Sequence, residues 1–126
     1  MFYHFDTGNR LVTVGRDFKV REKEVPVPDY SSPITSDDGQ YWAWESPCCI
    51  SSVGGLWISK GPDEFKQIVD EAHVVWDPIW VPGEHTLFFV SSDQLYMASA
   101  PDFVPIPLSD PGLIWGDSLS GATWIP

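Results

Sequence analysis

The sequence has no long apolar run, few basic residues and only two cysteines. A membrane-spanning helix needs about 18 predominantly apolar residues, and no window of this chain approaches that length, so we expect no membrane insertion. The start, MFYHFDTGNR, lacks the apolar core of a signal peptide. The compartment stays open: cytoplasmic if the chain is complete, and periplasmic or extracellular if it is a mature piece of an exported protein.

Basic residues are scarce beyond the N-terminal region. Residues 1–30 carry five basic and five acidic side chains, whereas the rest has only Lys60 and Lys66 against thirteen acids and therefore holds the whole net charge of −11. Nucleic-acid phosphates are bound by Lys and Arg, so we expect no nucleic-acid partner. The acidity either keeps the domain soluble or steers a basic partner or cations towards it.

The twelve prolines and ten glycines also make long helices improbable, because both residues interrupt them. At 43% hydrophobic and 14% aromatic residues, the composition is that of a folded chain. Its 126 residues give room for one domain with one core.

A repeat organises this domain. A shift of 45 residues places SPITSDDGQYWAWES, which contains Pro33, over DPIWVPGEHTLFFVS, which contains Pro78; a shift of 39 then places GLWISKGPD over QLYMASAPD. Each copy has apolar runs separated by the turn dipeptides Asp-Gly or Pro-Gly, a pattern typical of four short strands. Residues 63–71 also have helical spacing, but the repeat favours an outer strand there.

The repeat resembles the TolB-like, or PD40-type, β-propeller repeat, whose consensus runs P-x-W-S-P-D-G before an apolar strand and an L-Y pair. Residues 78–83, PIWVPG, keep the Trp, Pro and Gly, and residues 36–39, SDDG, keep the Ser, Asp and Gly, with Thr35 in place of the Trp. The resemblance fails mainly over residues 16–30. It implies an all-β fold, a partial β-propeller of about three four-stranded antiparallel blades, and it implies little about function.

The predicted single domain, 1–126, then divides by blade. Residues 1–30 give the closing strands of a first blade plus an extra edge strand, 31–75 a second blade, 76–115 a third, and 116–126 the first strand of a next blade. Propellers have four to eight blades, so an open arc of three leaves apolar faces and sheet edges to be covered. We therefore expect a protein partner or a homo-oligomer, most simply a dimer that closes a six-bladed ring, with Thr123-Trp124-Ile125 completing the partner's first blade.

No residue pattern predicts catalysis, a cofactor or a metal site. Cys48 and Cys49 are adjacent and have no other cysteine to pair with, so they are free thiols, a vicinal disulfide or an intermolecular bond. No Gly-x-Ser-x-Gly elbow, phosphate-binding loop or Cys-x-x-Cys occurs. The three histidines are scattered.

The seven tryptophans are mostly expected to pack between blades. Since tryptophan is also a common interface anchor, the candidate binding residues are Trp44, Trp57, Trp115 and Trp124. The sequence thus favours a non-catalytic interaction or assembly module. The alternatives are a segment of a larger propeller protein, such as a peptidase gate or periplasmic assembly factor, and a carbohydrate- or peptide-binding module.

Overall fold

The computed structural model describes residues 2–5, 10–27, 32–45 and 55–110, and within these ranges the chain forms eleven β-strands and no helix. The strands form three antiparallel sheets, each with its strands in chain order. Sheet A holds β1 (Phe2–Phe5), β2 (Arg10–Val14) and β3 (Val20–Glu24). Sheet B holds β4 (Ser32–Thr35), β5 (Tyr41–Glu45), β6 (Leu56–Lys60) and β7 (Asp63–Val69). Sheet C holds β8 (Val75–Trp80), β9 (Thr86–Ser91), β10 (Gln94–Ser99) and β11 (Ile106–Pro107).

The prediction of an all-β, antiparallel architecture is confirmed, and so is the strand in place of a helix at β7. This strand pairs with β6 through Ile58 opposite Lys66 and Trp57 opposite Gln67. Residues 63–69 form a strand because they hydrogen-bond to the backbone of β6, and this pairing outweighs their helical spacing. The turn at Gly61 brings the two strands together, and its φ of 59° suits a tight reversal.

The sequence repeat is reproduced in the register of sheets B and C. Tyr41 lies opposite Lys60 in sheet B, and the residues at the shifts of 45 and 39, Thr86 and Ser99, lie opposite each other in sheet C. The turns between the first two strands also correspond. In sheet B the Ser36 N–H donates to the Tyr41 carbonyl at 2.9 Å, and in sheet C the Val81 N–H donates to that of Thr86 at 2.8 Å.

A second turn recurs in all three sheets. The turn joins the last two strands of each sheet and has Asp at its third position, in residues 15–18 (GRDF), 61–64 (GPDE) and 100–103 (APDF). The fourth residue has a positive φ in each: Phe18 (59°), Glu64 (52°) and Phe103 (49°). Residues with a side chain rarely adopt this conformation, so its recurrence is a specific feature that sheet A shares with sheets B and C.

The three sheets pack in the order A, B, C. The cluster between sheets B and C includes Ala43, Ile58, Leu87, Phe89 and Phe103, all buried. The cluster between sheets A and B consists of four buried residues: Leu11, Val25, Val27 and Trp44. Each face of the middle sheet is therefore covered by a neighbour, as expected for apolar strands that a single sheet cannot bury alone. None of the three described sheets closes on itself.

Candidate interaction surfaces

The structure buries the first predicted binding residue, Trp44, completely. Its indole Nε1 donates to Ser59 Oγ at 2.8 Å, and that hydroxyl donates in turn to the Gly61 carbonyl at 2.7 Å. Its ring lies 5.8 Å from that of Phe65, measured between centroids. Trp44 therefore fills the contact between sheets A and B, where no ligand reaches it unless the sheets separate.

Trp57 lies directly opposite Trp44 on the neighbouring strand and is half-buried. Its Nε1 is buried and has no hydrogen-bond partner among the residues that the structure describes. A buried donor without an acceptor costs about 1–3 kcal/mol, so Trp57 differs from Trp44 in carrying an unused donor. A binding role for these two residues stays a prediction. Trp115, Trp124, Cys48 and Cys49 lie outside the described residues, as does the strand predicted within residues 116–126.

A polar clamp joins the first turns of sheets B and C. The Gly83 N–H donates to Asp37 Oδ2 at 2.7 Å, and His85 Nε2 lies 2.7 Å from Asp38 Oδ2. The backbone N–H of Gln40, then His85 and the Ser36 hydroxyl, lower the pKa of Asp38 to about 2. The family-like turn at residues 36–39 thus holds two sheets together through a carboxylate that stays ionised at neutral pH.

An acidic pair sits at the same boundary between sheets. Burial, and then the negative charge of Asp77, raise the pKa of Glu45 to about 7. Glu45 ends β5, whereas Asp77 lies in β8 at a register irregularity, with a φ of 40°. A carboxyl group that is partly protonated at neutral pH is common at functional sites but also occurs in structural contacts.

Sequence reasoning missed this pair, although one signal was present. The shift of 45 residues places Glu45 over Val90, which is fully buried, so an acid occupies an apolar position of the repeat. Among the described residues no group of three or more His, Cys, Asp or Glu could hold a metal ion.

A cleft of about 260 Å³ lies between β7 and the strands β9 and β10. Phe89 and Tyr96 stack at its wall with their ring centroids 5.4 Å apart, and His73 Nδ1 lies 2.8 Å from Asp70 Oδ1 at its rim. The hydrogen bond from His73 lowers the pKa of Asp70. The Asp70 carboxylate is thereby engaged by its own neighbour, which leaves the cleft with mainly aromatic and aliphatic walls.

Exposed apolar side chains concentrate on the two end sheets. Among the described residues, five of the seven large apolar side chains that are exposed lie on the hairpin of sheet A or along the margin of sheet C. They are Phe18, Val20, Val104, Ile106 and Leu108. Exposed apolar surface can mark an interaction site, so these two surfaces are the strongest candidates in the part of the chain that is described.

None of the described residues forms a helix of the length and apolar character that crossing a membrane requires.

Comparison with known proteins does not assign the chain to a family. No protein-family model matches the chain, and no curated protein shows significant similarity to it.

Proposed function

We propose that this chain is a non-catalytic interaction module of the β-propeller type, whose sheets are consecutive blades and whose end sheets bind further blades. The observation that carries the proposal is the concentration of exposed apolar side chains on sheets A and C. The middle sheet has both faces covered by neighbours of the same repeat. The exposed apolar side chains of an end sheet lose their contact with water when another blade packs on them.

Faces serve this association better than edges. All five residues of the edge strand β3 are exposed, and four of them are charged: Arg21, Glu22, Lys23 and Glu24. Charged side chains along an edge strand discourage pairing with another strand. At the edge of sheet C, β11 is only two residues long, so it offers few backbone groups for pairing with another strand. The proposed contacts therefore run through side chains on the sheet faces.

The simplest assembly is two copies of the chain in a ring of six sheets, with sheet C of each copy facing sheet A of the other. Such a ring has twofold symmetry and leaves neither end sheet uncovered. Four to eight blades are the range in which propellers close.

Sedimentation velocity across a range of micromolar concentrations tests the proposal. We expect a concentration-dependent dimer of twice the 14.1 kDa chain mass. A monomer at every concentration contradicts self-association. A longer native polypeptide that continues the repeat, identified by mass spectrometry of the protein from its source, supports instead the role as a segment of a larger propeller.

A further inference from the structure

Two phenylalanines at the same turn position have opposite environments. Phe18 and Phe103 are each the fourth residue of the recurring turn, with φ of 59° and 49°. Phe103 is 3% exposed, whereas Phe18 is 89% exposed. A phenylalanine held in a rarely populated backbone conformation and fully presented to solvent suggests that its contact surface is missing from the isolated chain.

The buried residue, Phe103, shows which kind of surface this turn packs against. The ring of Phe103 lies edge-on to Tyr41 of sheet B at a centroid distance of 5.0 Å and to Trp80 at 6.0 Å. From the same sheet, Lys66 Nζ donates to the carbonyl oxygen of Asp102, the third residue of the turn. The turn of sheet C therefore lies over the face of sheet B that carries Tyr41, Ile58 and Lys66.

The repeat identifies the corresponding surface on sheet C. Lys66 lies opposite Ile58 in sheet B, and Ile106 lies opposite Met97, the repeat equivalent of Ile58, in sheet C. Ile106 thus holds in sheet C the place that Lys66 holds in sheet B, and it is 50% exposed. Suppose that sheet A of a second copy packs on sheet C in the way that sheet C packs on sheet B. The turn 15–18 of that second copy then lies next to Ile106.

Charge also favours this pairing. Residues 10–24 carry five basic and three acidic side chains, whereas residues 75–110, which include sheet C, carry five acidic and no basic ones. A net-positive hairpin on one copy and an acidic sheet on the other attract each other. This complementarity gives two identical acidic chains a favourable relative orientation.

We propose that Phe18 of one copy is the anchor that packs on sheet C of a second copy beside Thr86 and Ile106, the repeat equivalents of Tyr41 and Lys66, in the arrangement by which the turn 100–103 packs on sheet B. The inference rests on the proposed self-association and names the residues that carry it. An exposed aromatic residue meeting an exposed aliphatic residue buries both, and central aromatic anchors commonly dominate interface energies.

The test measures the dimer dissociation constant of wild type, Phe18→Ser and Ile106→Ser by sedimentation. Val74→Ser is the matched control, because Val74 is also exposed but lies on neither surface. We expect both interface variants to raise the dissociation constant by about tenfold or more, and the control to leave it unchanged. Far-UV circular dichroism and thermal unfolding should match wild type, since Phe18 makes little contact within its own chain.

A photo-crosslinking phenylalanine analogue at position 18 gives an independent measurement. In a mixture of isotopically light and heavy chains, we expect crosslinks from position 18 to β10 or β11 of the other copy. Dimers that survive Phe18→Ser, or crosslinks to a different surface, overturn this inference and leave self-association intact. A monomeric wild type overturns both. Stronger dimerisation at low salt supports the contribution of charge.

Discussion

The indole Nε1 of Trp80 donates a 2.8 Å hydrogen bond to the carbonyl oxygen of Ile34. The bond connects the first strand of sheet C to the first strand of sheet B, and Trp80 is 8% exposed. It satisfies an indole donor that would otherwise be buried at the boundary between two sheets. Trp80, the tryptophan of the PIWVPG segment, thus links the second repeat to the preceding one by a hydrogen bond.

Trp80→Phe removes this donor and keeps most of the ring. We expect the free energy of unfolding in urea to fall by about 1–3 kcal/mol, because a partly buried carbonyl loses its partner. Trp42→Phe is the control, since the Trp42 indole donates to the carbonyl of Gly39, three residues away in an exposed turn. Equal losses for the two variants would show that the bond between sheets has no special role.

Trp44→Phe and Trp57→Phe are expected to differ in their effect on stability. The first variant leaves Ser59 Oγ without its indole donor and should cost about 1–2 kcal/mol. The second deletes a buried donor that has no partner among the described residues and should be neutral or stabilising. Urea unfolding followed by far-UV circular dichroism measures both. A larger loss for Trp57→Phe contradicts the assignment.

Glu45 should make stability depend on pH. Its pKa in the folded state, about 7, lies above the ordinary value of 4.5, so the folded state binds the proton more tightly than the unfolded chain. Between these two values the unfolded chain has released the proton while the folded chain retains it. The free energy of unfolding therefore falls as the pH rises from 4.5 to about 7.

Glu45→Gln tests this sign. The uncharged amide avoids burying a negative charge beside Asp77, so we expect the variant to be more stable than wild type above neutrality and to lose part of the pH dependence. Urea titrations at several pH values measure the difference. Glu71→Gln removes an exposed charge and serves as the control. A Glu45→Gln profile parallel to that of wild type would rule out the shifted group as the cause.

Substituting Gly39 or Gly83 by alanine should lower the free energy of unfolding for a conformational reason alone. Their φ values are 73° and 74°, and a Cβ at either position would meet nothing within 4 Å. The expected loss is about 1 kcal/mol for each Gly→Ala variant, measured by thermal or urea unfolding. Gly→Asn should cost less, because asparagine tolerates the left-handed conformation. An equal cost for Ala and Asn would indicate a steric cause.

The sequence predicted the strands because the apolar runs and turn dipeptides that form them recur along the chain. The shifts of 45 and 39 residues align Tyr41 with Thr86 and Lys60 with Ser99, and these positions pair equivalently in the two sheets. Asp-Gly and Pro-Gly set the turns, since glycine supplies the positive φ that a tight reversal needs. This information lies in the turn dipeptides and in the repeat of the residue pattern along the chain.

Only the tertiary structure decided which side chains are buried and which titrate. Trp44 and Trp57 have similar local sequences, yet Trp44 hydrogen-bonds within the contact between sheets while the Trp57 donor finds no acceptor among the described residues. The pKa of Glu45 depends on its burial and then on Asp77 of another sheet, and the environments of Phe18 and Phe103 differ although their turns are alike. These properties arise from contacts between residues far apart in the chain, and burial is a property of the assembled sheets that no local pattern specifies.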